Sequence, residues 1–307
     1  MLFKFVPWVV RTLGWAAASA SAIVAQCSYT WQPLGAGIGI SGSSVIALAT
    51  FPDGSIVAFA QGLLGNFVRW DGTAWTTFAS ANANINALLR LPNNHLLAGG
   101  SFQNIGGVNA GRIARWNGTT WLPLGLGIDA GIVSRVNAIA EMPNGDIVIG
   151  GYFVTAGGVP ASNIARWNGS AWSPLGSGVD NSVFALAVTS SGDLVAGGSF
   201  TTAGGVPAPS VARWSGGTWQ ALGAGTNGEV NAIASLSGGQ LLVGGTFTSA
   251  GGVPASRIAR WSGAGWSPLG AGVAGPVYAI VVRPSGDAIV GGAFVTAGGV
   301  PASLVAR

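Results

Sequence analysis

Short apolar runs separated by polar, glycine-rich breaks recur along the chain, and one of them shows the whole unit. Residues 183–188 (VFALAV) are continuously apolar and rich in β-branched and aromatic side chains. A run this short, bounded by turn residues, predicts a buried strand rather than a helix. The polar residues 190–193 (SSGD) predict a tight turn, and residues 194–200 (LVAGGSF) predict a second strand. Within it, Gly197 and Gly198 imply a close backbone approach or a bulge. A glycine-rich loop over 201–208 leads into a third strand at 210–214, and Ser215-Gly216 turns the chain into a fourth around Trp219. The unit is thus four short antiparallel strands. In other copies the final turn reads Asp71-Gly72, Asn117-Gly118 and Asn168-Gly169, pairs that accept the positive φ angles of a two-residue hairpin.

The unit repeats. A string of Ala or Val, then Arg, then Trp ends at Trp70, Trp116, Trp167, Trp214 and Trp261, and a shortened copy stands at Ala306-Arg307. The spacing of about 47 residues belongs to a propeller or solenoid array. A second tryptophan follows each copy, at Trp75, Trp121, Trp172, Trp219 and Trp266, where a large ring recurring at one place is expected to join adjacent sheets. Four strands per unit favour an all-β, six-bladed β-propeller of four-stranded antiparallel blades over residues 26–307. A strand at residues 29–34, containing Trp31, stands alone before the first full unit, and the last unit lacks its fourth strand. The N-terminal strand is expected to complete the last blade and close the ring.

Composition narrows the chemistry. Only 7% of the residues are charged, and there is one His and one Cys among 307. Neither a catalytic constellation nor a metal site is expected, and no cofactor. Apart from Lys4 and Arg11 the charges nearly balance, so nucleic acid is not an expected partner. Those two cations open a leader over residues 1–25, whose apolar and small residues from Thr12 to Ala25 predict a signal peptide. A secreted, periplasmic or cell-surface monomer follows, with no membrane span after cleavage. Cys27 has no second cysteine to pair with, so packing alone must hold the fold.

Residues 147–151 (IVIGG), followed by Trp167 and Trp172, resemble kelch-type propeller blades, and residues 164–169 (IARWNG) resemble the delta-sixty repeats of bacterial surface and secreted propellers. The likeness spans residues 28–307 and implies a ligand- or protein-binding scaffold. Tryptophan stands where kelch blades usually carry tyrosine, and the copper ligands of galactose-oxidase-type chemistry are missing.

Function is therefore sought where the repeat breaks. The first-to-second and third-to-fourth turns share one face of the ring, and only the opposite face varies in length. There the first blade is short between Ala60 and Trp70, having lost its Gly-Gly-Val-Pro loop, while the loop from Gly125 to Val136 is enlarged. Binding groups tend to sit on such loops over a rigid frame. Asp129, Arg135, Asp180, Asn181, Asn227 and Glu229 fall in the between-blade loops. Just inside them, one first-strand position reads Ile46, Asn86, Asn137, Phe184, Asn231 and Tyr278 around the ring. These residues are the candidate ligand-binding set for an extracellular protein or glycan, with no catalytic residue assigned. Asp53, Asp146, Asp193 and Asp287 mark turns on the other face, where a short carboxylate caps local amides. Two rival functions remain: a carbohydrate-active hydrolase or lyase using Asp129, Asp180 or Glu229 at the channel mouth, and a purely structural surface array.

Overall fold

The computed structural model describes residues 44–61, 66–129 and 131–307. They form six antiparallel sheets, one per repeat, arranged as the blades of an all-β propeller. The fourth blade runs from the centre outward as Val183–Val188, Leu194–Gly198, Val211–Ser215 and Thr218–Ala221. Among the described residues the sixth sheet has three strands, Val277–Val282, Ala288–Gly292 and Val305–Ala306. The first strands of consecutive blades pack side by side. The closing strand expected at residues 29–34 and the leader over 1–25 lie outside the described residues.

The paired glycines set how closely the blades approach. A Cβ on Gly197 would stand 2.4 Å from Val230 Cγ1 of the next blade, and one on Gly198 would stand 2.0 Å from the Ser182 carbonyl oxygen. The first glycine therefore receives the neighbour's valine, and the second lets its own first strand bulge toward it. That bulge falls between Val183 and Ala185, which makes Phe184 the extra residue. In the other blades the extra residues are Ile46, Asn86, Asn137, Asn231 and Tyr278. The variable position in the sequence is thus the bulge of each innermost strand.

The second tryptophans join the blades. Trp172, Trp219 and Trp266 each donate from Nε1 to a carbonyl of the preceding blade, Leu124, Leu175 and Leu222, at 2.9, 2.9 and 2.7 Å. Each also packs against the first tryptophan of its own hairpin, with ring centroids 5.2 to 5.3 Å apart. The first blade departs from this pattern. Its Phe67 meets Trp121 at 5.2 Å and its Phe78 meets Trp116 at 5.5 Å, while Trp121 Nε1 is buried without an acceptor.

Two features differ from the sequence expectation. The 201–208 segment is a two-stranded ribbon, Thr202–Ala203 against Val206–Pro207, and four other blades carry the same ribbon. Strands of two residues are too short to leave a period in the sequence. The Asn-Gly pairs do not form two-residue hairpins: Trp167 pairs with Trp172, and Asn168 Oδ1 accepts the Ser170 and Ala171 amides across a wider turn. That side-chain cap competes with the tight turn. Gly216-Gly217, both at positive φ between the paired Ser215 and Thr218, does form the tight one.

Trp219→Ala is expected to lower stability by about 3 to 5 kcal/mol, the range for deleting a buried large aromatic, as measured by urea unfolding. Deleting residues 26–36 should lower the melting temperature of the whole chain, because the edge at Val305–Ala306 would lose its expected cover. A truncated chain that melts like the full one contradicts closure by that strand.

Candidate functional site

The ribbons build the variable face, and the polar loop residues fasten them to it. Ala203 bridges to Val179 of the segment entering its blade, and the Gly204 amide donates to the Gly178 carbonyl at 2.8 Å. Asp180 then caps the ribbon: its Oδ1 accepts the Thr201 and Thr202 amides at 2.8 and 3.0 Å, and its Oδ2 accepts the Thr201 hydroxyl. Asp129 takes the Val154 and Thr155 amides in the same way, and Asn227 takes those of Thr248 and Ser249. Burial opposes ionisation of Asp129 and Asp180. The hydroxyl and amide donors outweigh it and hold both carboxyls below their usual value.

Described residues of the enlarged loop are tied together by hydrogen bonds. Ser134 donates its hydroxyl to Asp129 Oδ2, and the buried Arg112 donates from Nε to the Ser134 carbonyl and from a terminal nitrogen to the Gly131 carbonyl, both at 2.9 Å. Held this way, the loop presents apolar side chains to solvent: Leu126 is 79% exposed, Val133 is 58% exposed and Ile132 is fully exposed. Tyr152 and Val154 extend the surface, and the Arg135 guanidinium lies 5.7 Å from the Tyr152 ring centroid. Beside it a cleft of about 450 Å³ opens between the third and fourth blades, lined by Tyr152, Val154, Asn163, Val179, Asp180 and Thr202 among others.

The candidate residues thus separate into groups. Asp129 and Arg135 share the enlarged loop, and Asp180 reaches the adjacent cleft. Asn181 accepts the Ser182 amide, and Asn227 and the exposed Glu229 belong to the next inter-blade segment. At the bulges, Asn86 donates to the Val136 carbonyl and to Asn137 Oδ1, both at 3.3 Å. Asn137 donates in turn to the Val183 carbonyl at 3.0 Å. These two amides brace neighbouring inner strands, while Ile46, Phe184, Asn231 and Tyr278 fill the same position elsewhere. Sequence reasoning missed Arg112, Tyr152 and the exposed apolar trio. Arg112 stands where Asn163, Ser210 and Arg257 stand in the next blades, all at positive φ; because the fifth blade also has arginine there, the charge alone did not mark it, and the enlarged loop beside it was the available signal.

On the opposite face the turn carboxylates do more than cap amides. Asp146, Asp193 and Asp287 pair with Arg166, Arg213 and Arg307, the arginines of the repeated string, and Asp53 pairs with Arg69. Around Asp193, partial burial opposes ionisation, but hydrogen bonds from Ser191, Ser215 and Arg213 together with the Arg213 charge bring the carboxyl from 3.8 to about 2. Among the described residues no three His, Cys, Asp or Glu side chains group to hold a metal ion.

The geometry defines a six-bladed β-propeller whose loop face is braced by repeated side-chain caps and interrupted by one protruding apolar loop. Residues 91–118, 143–169 and 237–260 match the family described as a beta-propeller domain of unknown function, DUF5122. No curated protein matches the sequence. The fold is similar to YCF48 bound to D1 peptide, with 13% identity, 81% of this chain and 74% of that one covered, and a TM-score of 0.50. It is also similar to virginiamycin B lyase from Staphylococcus aureus, with 11% identity, coverage of 80% and 76%, and a TM-score of 0.52. At such identities the likeness concerns the fold.

The folded-state carboxyl of Asp193 is more acidic than its unfolded counterpart, so its contribution to stability is complete above about pH 4 and is lost as pH falls toward 2. Asp193→Asn should flatten that part of the stability-versus-pH curve, as followed by chemical unfolding at pH 5, 4, 3 and about 2. An unchanged curve would show that the carboxylate gains nothing on folding.

Proposed function

We propose that this chain is an exported, non-enzymatic propeller that binds an extracellular protein or glycan through its between-blade loop face. The site is centred on the 125–136 loop and the adjoining cleft. One observation carries the reading: Leu126, Ile132 and Val133 stand in solvent on a loop whose Asp129, Gly131 and Ser134 are tied down by hydrogen bonds, two of them from Arg112. Exposed large apolar side chains gathered on one loop suit association and are otherwise a solubility liability. Tyr152 and Arg135 beside it are residue types favoured at binding interfaces. Of the two partner classes, this surface favours protein.

Catalysis by Asp129 and Asp180 gains no support from their surroundings. A general acid at neutral pH needs a raised pKa, and both carboxyls are held ionised with their oxygens taken by amides and hydroxyls. A similar propeller carries a bound peptide, which accords with a binding role for this architecture. Among the described residues no helix is long and apolar enough to cross a membrane. Export rests on the leader at residues 1–25.

Replacing residues 125–136 by the shorter sequence 176–183 tests the site. Arg112 must become Asn in the same variant, as at Asn163, because the exchange removes both of its carbonyl partners. Binding to members of an extracellular protein and glycan panel should be lost with little change in melting temperature, since loop length alone alters stability weakly. Asp146→Asn with Asp193→Asn should leave binding intact. Loss of binding only in the second variant moves the site to the turn face.

A further inference from the structure

The six repeats act as controls for one another, and on the turn face one inter-blade seam departs from the rest. The residue just before each second strand is Ser55, His95, Asp146, Asp193, Gln240 or Asp287. It faces the arginine of the repeated string, and five of those arginines are engaged. Arg69 meets Asp53 and Ser55, and Arg260 meets Gln240. Arg166, Arg213 and Arg307 meet their aspartates. In the second blade the residue is His95, and among the described residues Arg115 has neither an ion pair nor a hydrogen-bond partner.

Arg115 lines a cleft of about 330 Å³ between the second and third blades, and the same cleft holds Glu141 and the Trp167 indole over a floor of Leu97, Leu124 and Ile147. Glu141 ends its innermost strand, where the other blades have Thr50, Arg90, Val188, Ser235 and Val282. Only this blade offers a carboxylate there. Arg90, the nearest basic counterpart in the second blade, is turned to its own loop by hydrogen bonds to the Leu91 carbonyl and Asn94 Oδ1. Glu141 has no hydrogen-bond partner among the described residues, and burial pushes its carboxyl up. One cleft thus contains an unpaired guanidinium, an unpaired carboxylate and an aromatic wall, with a volume in the small-molecule range.

We propose that this cleft binds a small zwitterion of the amino-acid class with an apolar or aromatic side chain. Arg115 would take the ligand carboxylate, which suits a planar fork of donors. Glu141 would take the ammonium, and the side chain would lie between Trp167 and the apolar floor. This site is on the face opposite the 125–136 loop and does not depend on the function proposed above.

The test is calorimetric titration of the full chain with L-phenylalanine, alongside 3-phenylpropionate, which lacks the ammonium, and phenethylamine, which lacks the carboxylate. L-Phenylalanine should bind at least tenfold more tightly than either analogue. Arg115→Gln should weaken it at least tenfold, and Glu141→Gln should erase the preference over 3-phenylpropionate. His95→Asp provides a variant that need not weaken the fold: it supplies Arg115 with the turn carboxylate the other blades have, and should suppress binding while the melting temperature holds or rises. Absence of L-phenylalanine binding overturns the proposal. So does equal binding of 3-phenylpropionate by the unaltered chain, which would mark a simple anion site, or full affinity retained in His95→Asp.

Discussion

The structure depends on how closely one blade can approach the next. In the second to fifth blades a glycine of the second strand leaves room for a valine of the neighbouring first strand, as Gly197 does for Val230 and Gly150 for Val183, whereas the first blade carries Phe59 at that position. No larger residue fits without displacing that valine, so the spacing of the inner strands follows from two hydrogen atoms where a methyl would otherwise stand. Outward from there, an indole Nε1 reaches back to the preceding blade's carbonyl, and further along the loop face a carboxylate or amide gathers two ribbon amides. These three contacts recur because each blade meets the same neighbour.

That arrangement explains why so uncharged a chain can use its few charges structurally. Among the described residues, Asp129 and Asp180 cap ribbons, Asp53, Asp146, Asp193 and Asp287 pair with arginines, and Arg112 is buried against two carbonyls. In a repeat protein such groups are replicated with the unit, so a polar residue found at one position in several blades is evidence of bracing. Groups that differ from their counterparts carry more information, and they fall at the third blade and its neighbours: the protruding apolar loop on one face, and Arg115 with Glu141 on the other.

The repeat length, the four strands, the close approach at the paired glycines and the blade-joining tryptophans were legible in the sequence because each leaves a periodic mark. The two-residue ribbons were not, since strands so short leave no alternation of their own and are held by hydrogen bonds to the segment that enters the blade about two dozen residues earlier. For the same reason Asp129, Asp180 and Asn227 looked like free loop groups: their partners lie about two dozen residues away on segments read as irregular. The variable position from Ile46 to Tyr278 was found as a pattern, but its geometry as a bulge emerged only from strand register. The turn aspartates look like local caps in the sequence because their arginines lie 16 to 20 residues further on, at the third strand.

The central claim is that the repeated loop-face polar groups are engaged in fastening the ribbons, which is why the 125–136 loop is the surface proposed for a partner. Amide hydrogen exchange on the intact chain tests it most directly. Protection at Thr201, Thr202 and Gly204 should approach that of the inner strands, and Asp180→Ala should remove it there while leaving the ribbon at residues 248–251 protected. Rapid exchange at those ribbon amides in the unaltered chain would contradict the account and return Asp129, Asp180 and Asn227 to the pool of free binding groups.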